Sequence, residues 1–298
     1  GFVGRATLAR ARAAGHRVRA LARRAQPQQD GIEWVMGSLE DQRSLEALCT
    51  GADAVIHIAG VVNAPDRAGF EAGNAGGTAT LIDAMHRCGI KRLVHVSSLA
   101  AREPDLSDYG WSKAGAERHV LASKLDWTIV RPPAIYGPGD AELLELFQMA
   151  ARGFILLPPG GRLSVIHVDD LADLLVTLGE RPGGNETQGA TYEVDDGRKG
   201  GWTHKEFARA IAAAVGRPKA LPIAMPSGLV MLGAKIDRLI RGDKARLTPD
   251  RAAYFCHDDW TSHTAMHPPA TTWQPAIATA DGLAATAQAY RARGHLKG

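Results

Sequence analysis

The sequence predicts an α/β protein: a doubly wound parallel sheet whose first strand is missing from this chain, followed by a smaller C-terminal α/β substrate lobe. Three observations predict it. Short, continuously apolar runs recur at residues 54–59, 93–96 and 127–130, as expected for strands buried on both faces. Amphipathic stretches of helical period separate them, which implies right-handed crossovers and a parallel order. After Pro132 the texture changes to Pro- and Gly-rich connections, with Pro132-Pro133, Pro138-Gly139 and Pro158-Pro159-Gly160.

Each element follows from its local pattern. Residues 4–14 read as a helix that leads into a strand at 17–21. Trp34-Val35 is a short strand, and 44–48 belongs to a helix. The run at 54–59 ends at Gly60, and 78–87 is a helix with Leu81, Ile82 and Met85 on one side. The strand at 93–96 precedes a helix at 111–121 and a strand at 127–130. Beyond Pro132, strands are expected at 163–168 and 191–194 and a helix at 170–178. Thr203-His204-Lys205-Glu206 reads as a capping box opening another helix. Residues 227–240 form an amphipathic helix with Leu229, Leu232, Ile236, Leu239 and Ile240 on one side. The apolar stretch 221–232 is short and interrupted by Pro222 and Pro226, so a helix closing over the substrate pocket is expected there rather than contact with a membrane surface. The domain division is 1–135 for nucleotide binding, with 165–197 returning to it, and 136–298 for the substrate lobe.

Bulk properties narrow the class. The 298 residues are 45% hydrophobic and 22% charged, which suits a globular protein large enough for two lobes. A net charge of +3 with no Lys/Arg run longer than two gives no reason to expect nucleic acid. Cys49, Cys88 and Cys256 are odd in number and widely spaced, so unpaired thiols in a reducing compartment, the cytoplasm, are expected. No apolar span reaches the length of an integral membrane segment. His257, His263 and His267 fit no common closed zinc spacing, and no metal is expected.

The chemistry is concentrated at Tyr109-Gly110-Trp111-Ser112-Lys113, read with Ser97-Ser98 upstream. Positions i and i+4 share a helix face, so the Lys113 ammonium stands beside the Tyr109 phenol and lowers its pKa. Such a tyrosine passes a proton to or from a carbonyl or alcohol oxygen, and Ser98 at the end of its strand hydrogen-bonds the same oxygen. Gly1-Phe2-Val3-Gly4 opens a helix whose N-terminus suits a diphosphate. Arg23 follows the next strand, where a dinucleotide ribose would lie, and suits a 2′-phosphate better than a 2′-hydroxyl.

With these residues in place, the chain resembles the short-chain dehydrogenase/reductase superfamily, in its extended and atypical NAD(P)-dependent epimerase/dehydratase branch. Gly1–Gly4 looks like the tail of a TGxxGxxG turn. His57-Ile58-Ala59-Gly60, the NxxGT of residues 74–78, and Val96-Ser97-Ser98 with Tyr109 and Lys113 match further family motifs in order. So do the RPxxxYGPGD of residues 131–140, Ile166-His167-Val168-Asp169-Asp170, and Trp273-Gln274-Pro275. The resemblance implies a Rossmann fold and a catalytic set of Ser98, Tyr109, Lys113 and Asn74. It implies cofactor contacts at Gly1, Phe2, Val3, Gly4, Arg23, Leu39, Ala59, Gly60, Ser97, Tyr109, Lys113, Pro133 and Ala134. NADP, with NADPH preferred over NAD, is the expected cofactor.

Two departures refine the expectation. Ser38 stands where the family usually carries an Asp against adenine, and Ser98 and Tyr109 are only 11 residues apart (109 − 98). The short spacing resembles hydroxysteroid-dehydrogenase-like members, so the expected reaction is hydride transfer at a secondary alcohol or ketone of an apolar small molecule. The alternatives are a nucleotide-sugar epimerase or dehydratase that recycles its cofactor, and a non-catalytic NAD(P)-binding assembly or sensor protein. A monomer or homodimer is expected. The strands near Val18 and Val55 are expected to lack a shared partner, the strand that would precede Gly1.

Overall fold

The computed structural model describes residues 1–180, 187–242, 245 and 247–296. It divides into two compact units: residues 1–131 with 171–192 and 268–273, and residues 132–170 with 193–267 and 274–298.

The first unit is an α/β layer structure. Helix α1 (Phe2–Ala13) leads to β1 (Val18–Ala22), which pairs in parallel with β2 (Ile32–Met36). Helix α2 (Gln42–Cys49), capped by Asp41, precedes β3 (Ala54–His57). A short helix α3 (Arg67–Phe70) runs through a π-helical turn (Glu71–Gly76) into α4 (Gly77–Cys88). Strand β4 (Arg92–Val96), a 3₁₀ turn (Leu99–Arg102), α5 (Asp108–Ala122) and β5 (Asp126–Arg131) follow. Strands β3, β4 and β5 are parallel, and the sheet order is β10-β5-β4-β3, with β10 at Ala190–Glu193. Among the described residues no ladder joins β1 to β3.

The core of this unit forms where α2 and α4 cover the sheet. Leu45, Leu81, Met85, Leu93 and Ile129 are fully enclosed. Each such side chain contributes about 1.5–3 kcal/mol relative to exposure. Buried Arg92 is the polar exception. Its guanidinium donates to Leu178 O (2.8 and 3.1 Å), Asp126 Oδ1 (3.1 Å) and Thr128 Oγ1 (2.9 Å), so the charge is solvated by protein. That ties the C-terminal part of α7 (Val168–Glu180) to the sheet.

The second unit is built from short strands. Strand β6 (Ala134–Tyr136) pairs in parallel with β9 (Val165–His167), and β7 (Phe154–Leu157) with β12 (Leu221–Ala224). A third sheet has the order β11-β8-β13, from Trp202–Thr203, Arg162–Leu163 and Asp259–Trp260. Helices α6 (Leu144–Ala151), α8 (His204–Ala214) and α11 (Thr279–Ala292) enclose a core of Tyr136, Phe147, Ile155, Ile211, Leu283 and Tyr290. Helices α9 (Ser227–Arg241) and α10 (Pro249–Phe255) pack on each other. The capping box opens α8: Glu206 N donates to Thr203 Oγ1 and Thr203 N to Glu206 Oε2. The single strand expected at 163–168 is instead divided: Arg162–Leu163 pairs with β11 and β13, Val165–His167 pairs with β6, and Val168 already begins α7. Among the described residues no helix is long and apolar enough to cross a membrane.

Candidate active site

Tyr109 and Lys113 stand in the first two turns of α5. The helix begins at Asp108, three residues before the sequence pattern suggests, because Ser107 caps it: Ser107 Oγ accepts from Gly110 N (3.0 Å). Gly110 is required by close packing. A Cβ there would lie 2.6 Å from Ala100 O, in the 3₁₀ turn that follows Ser98. That contact draws the turn bearing Ser98 against the start of α5 and closes the short loop between Ser98 and Tyr109. Ser98 itself caps the turn, its Oγ accepting from Ala100 N (3.1 Å), which leaves its hydroxyl hydrogen to donate. The Tyr109 ring is half-buried, 6.1 Å from the Phe70 ring between centroids.

Lys113 is 6% exposed, and its Nζ donates to Val96 O at the end of β4 (2.8 Å). Burial pushes its pKa down to about 8, against the opposing pull of Glu117 one turn on. Glu117 is itself held by Arg131, with Arg131 Nε to Glu117 Oε1 at 2.8 Å and Nη2 to Oε2 at 2.6 Å. The carboxylate near Lys113 is therefore already shared with a guanidinium.

Asn74 is buried behind these residues. Its Oδ1 accepts from Val61 N (2.8 Å), and its Nδ2 donates to Val61 O (3.0 Å) and Ser112 Oγ (2.9 Å). Ser112 Oγ in turn donates to Tyr109 O (2.8 Å). Gly60 sits so close that a Cβ would come 2.5 Å from Asn74 Oδ1. The chain continues through Thr78, whose hydroxyl donates to Asn74 O (2.7 Å) and so accepts from His57 Nε2–H (2.9 Å). His57 faces His95 across the β3–β4 ladder, ring centroids 5.2 Å apart. Burial, and then the nearby Lys113 charge, hold His57 down to about 3, and His95 lies far below its usual range for the same reasons. Both rings are neutral at physiological pH. The motifs holding His57, Ser112 and Arg131 are visible in the sequence, but their bonds to Thr78, Asn74 and Glu117, 14 to 38 residues away, are not, and no pattern marks His95 or Glu117.

The remaining predicted residues fall into separate places. Gly1 N-caps α1 without a side-chain bond, and a Cβ at Gly1 or Gly4 would meet nothing within 4 Å. Phe2 and Val3 are half-buried in the first turn of that helix. Arg23 is exposed just past β1, and Arg5 and Arg23 lie near enough to the Gly1 nitrogen to depress its pKa, after burial. Leu39 packs against the start of α4, where a Cβ on Gly77 would come 2.8 Å from its side chain. Ala59 and Gly60 are exposed past β3. Ser97 is buried, and its Oγ has no hydrogen-bond partner among the described residues. Pro133 and Ala134 belong to the second unit, Ala134 opening β6.

These features fit a nicotinamide dinucleotide. An open helix N-terminus with no acid in its first turn and two arginines nearby suits phosphates. The unpaired Ser97 hydroxyl marks a place for a polar group.

Comparison with known proteins agrees. A family model described as NAD(P)H-binding matches residues 1–182. A ceramide reductase of Caulobacter vibrioides is 37% identical over 270 residues, covering 89% of this chain and 82% of the relative. A 2-alkyl-3-oxoalkanoate reductase of Stenotrophomonas maltophilia is 28% identical, covering 88% of each chain. Among solved structures, MoeE5 in complex with UDP-glucose and NAD superimposes with a TM-score of 0.73 at 19% identity, covering 98% of this chain and 96% of the other. The fold, the motif order and these relatives together show that the chain belongs to the extended short-chain dehydrogenase/reductase family of NAD(P)-dependent oxidoreductases and epimerases.

Proposed function

We propose that this enzyme is an NADPH-preferring reductase of a ketone, or oxidant of the matching secondary alcohol, on an apolar, lipid-like small molecule. The observation that supports the reading is Lys113 Nζ on Val96 O, two residues before Ser98, with the first turn of α5 packed through Gly110 against Ala100 O. The bound cofactor supplies the hydride to the carbonyl carbon. The Tyr109 hydroxyl donates its proton to the carbonyl oxygen, while the Ser98 hydroxyl donates a hydrogen bond to that oxygen and holds it in place. Lys113 stabilises the resulting phenolate by its charge and would help hold the nicotinamide ribose. Asn74 is a positioning residue that fixes the first turn of α5 through Ser112.

Gly1, Phe2, Val3 and Gly4 would cradle the diphosphate, with Arg23 toward a 2′-phosphate. Leu39, Ala59, Gly60, Ser97, Pro133 and Ala134 would complete the cofactor contacts. The substrate class is supported by the relatives that align over most of their length, one a reductase of ceramide and the other of 2-alkyl-3-oxoalkanoates. Following cofactor absorbance with ceramide-type ketones and alkyl oxo acids, each offered NADPH and NADH, tests it. Faster NADPH consumption with alkyl-chain ketones supports the reading; turnover confined to sugar nucleotides overturns it.

A further inference from the structure

Helix α9 carries its apolar side on the face turned away from the protein. At about 100° per residue, Leu229, Leu232, Ile236, Leu239 and Ile240 fall within a stripe roughly 100° wide. All five are exposed, Leu239 at 86% and Ile240 at 75%. The opposite side does the packing: Ala234 is buried, and Val230, Met231 and Asp237 are half-buried. A helix of a globular protein normally turns such a stripe inward.

The polar residues are arranged to match. Lys235 flanks the stripe and Arg238 follows it around the helix, while Arg241 lies toward the packed side. Asp237, the one acid of the helix, is turned toward the packed face and bonded to Leu247 N (2.9 Å) and Arg241 (3.3 Å). The apolar surface extends along the chain into β12, where Leu221 and Ile223 are exposed, with Leu156 opposite Ile223 in the ladder. Only Met225 and Pro226 separate β12 from α9.

The geometry points to α9 as an interfacial helix that docks the enzyme on the surface of an anionic lipid bilayer. Aliphatic side chains about 16 Å along one helix face, with Lys235 at the edge of the stripe, suit a shallow seat at the headgroup level. Lys235 and Arg238 complement an anionic leaflet, and their long stems reach past the apolar boundary. A second copy of this chain fits less well. A stable protein–protein interface engages roughly 20–30 residues a side, far more than one stripe of five, and like-charged flanks would meet. This inference concerns the surface alone and stands whichever substrate the enzyme takes.

Vesicle flotation of the full chain tests it, with phosphatidylglycerol–phosphatidylcholine vesicles against phosphatidylcholine alone. The expected result is co-flotation with the anionic vesicles, weakened by added salt and much reduced on phosphatidylcholine. The double variant Leu239→Asp, Ile240→Asp alters side chains that make little contact with the fold, so its melting temperature should match the wild type. Its vesicle affinity should fall by about 100-fold or more, since each lost aliphatic anchor is worth about tenfold. Lys235→Glu with Arg238→Glu should abolish the preference for anionic vesicles. Absence of flotation, or flotation unaffected by the aspartates, overturns the inference. So does a wild-type dimer in light scattering that the aspartates split, with no vesicle binding, because a second copy then covers the stripe.

Discussion

The two units bury polar side chains of different kinds. In the second unit the carboxylates of buried Asp170 and Asp195 and half-buried Asp196 have donors in place, while buried His167 leaves Nε2 without a hydrogen-bond partner among the described residues. Asp195 Oδ1 accepts from Gly197 N (2.8 Å), and its Oδ2 accepts from Ser164 Oγ (3.1 Å) and from Ser262 Oγ. Asp170 accepts from Ala276 N and Ile277 N (3.0 and 3.1 Å), and Asp196 from Arg198 N and Trp202 Nε1. In the first unit, beside well-bonded Arg92, Asn74 and Glu117, lie buried Lys113, His57 and His95. Their pKa values are pushed down, and both His95 ring nitrogens lack partners among the described residues. The satisfied anionic network staples loops together and stabilises them. Burial of Lys113 costs the fold stability, which makes it a candidate working group.

The comparison can be broken first at Tyr109. Tyr109→Phe removes the proton donor and nothing else, so turnover should drop about 10²–10⁴-fold with NADPH affinity unchanged, measured by steady-state kinetics and cofactor titration. Retained turnover would place the chemistry elsewhere. Asp195→Ala should act on stability instead. It leaves two hydroxyls and an amide without their acceptor, at about 2–4 kcal/mol. Calorimetry should show a lowered melting temperature, and kinetics on the folded protein should show near-normal turnover. A collapse of turnover without loss of stability would make the second network functional too.

A pH experiment sharpens the same contrast. Lys113 has a folded pKa of about 8 against 10.5 for an ordinary lysine. Below about pH 8 it is charged in both states, so the penalty for burying the charge is fully present. Between about 8 and 10.5 the folded protein gives up the proton while the unfolded chain keeps it, and this group's contribution to stability rises with pH, by about 3 kcal/mol at most. Denaturant melts across that window should show wild type gaining relative to Lys113→Met. The smallest effect is at the cofactor. Arg23→Asp should move preference from NADPH toward NADH, about tenfold in relative affinity, because a carboxylate repels a 2′-phosphate and accepts from a 2′-hydroxyl. Equal affinity of the wild type for both would remove Arg23 from the reading.

Much of the first unit is legible because its signals are local. The apolar runs at β3 and β4 and the amphipathic α4 declare themselves within a few residues, and Tyr109 and Lys113 are one helical turn apart. The start of α5 is less so, because Gly110 dilutes the helical pattern although the Ser107 cap and the contact with Ala100 require it. The supporting bonds are illegible for a different reason. Asn74 and the motifs holding His57, Thr78 and Ser112 are visible in the sequence, but the bonds joining them form only when β3, α4 and α5 meet. The second unit hides its short strands likewise: Arg162–Leu163 pairs with Trp202–Thr203 and Asp259–Trp260, partners no local pattern reveals. The α9 stripe is visible as a stripe, but periodicity does not say which way it faces.

The most direct test of the account is to measure melting temperature and ketone turnover of Lys113→Met on one preparation at pH 7. If Lys113 is a buried charge kept for chemistry, the two readouts move in opposite directions. Turnover falls at least about 100-fold, while the melting temperature rises by a few degrees, the lost bond to Val96 O offsetting part of the gain. A variant that loses stability and turnover together, or keeps its turnover, would contradict the account and make Lys113 a structural lysine.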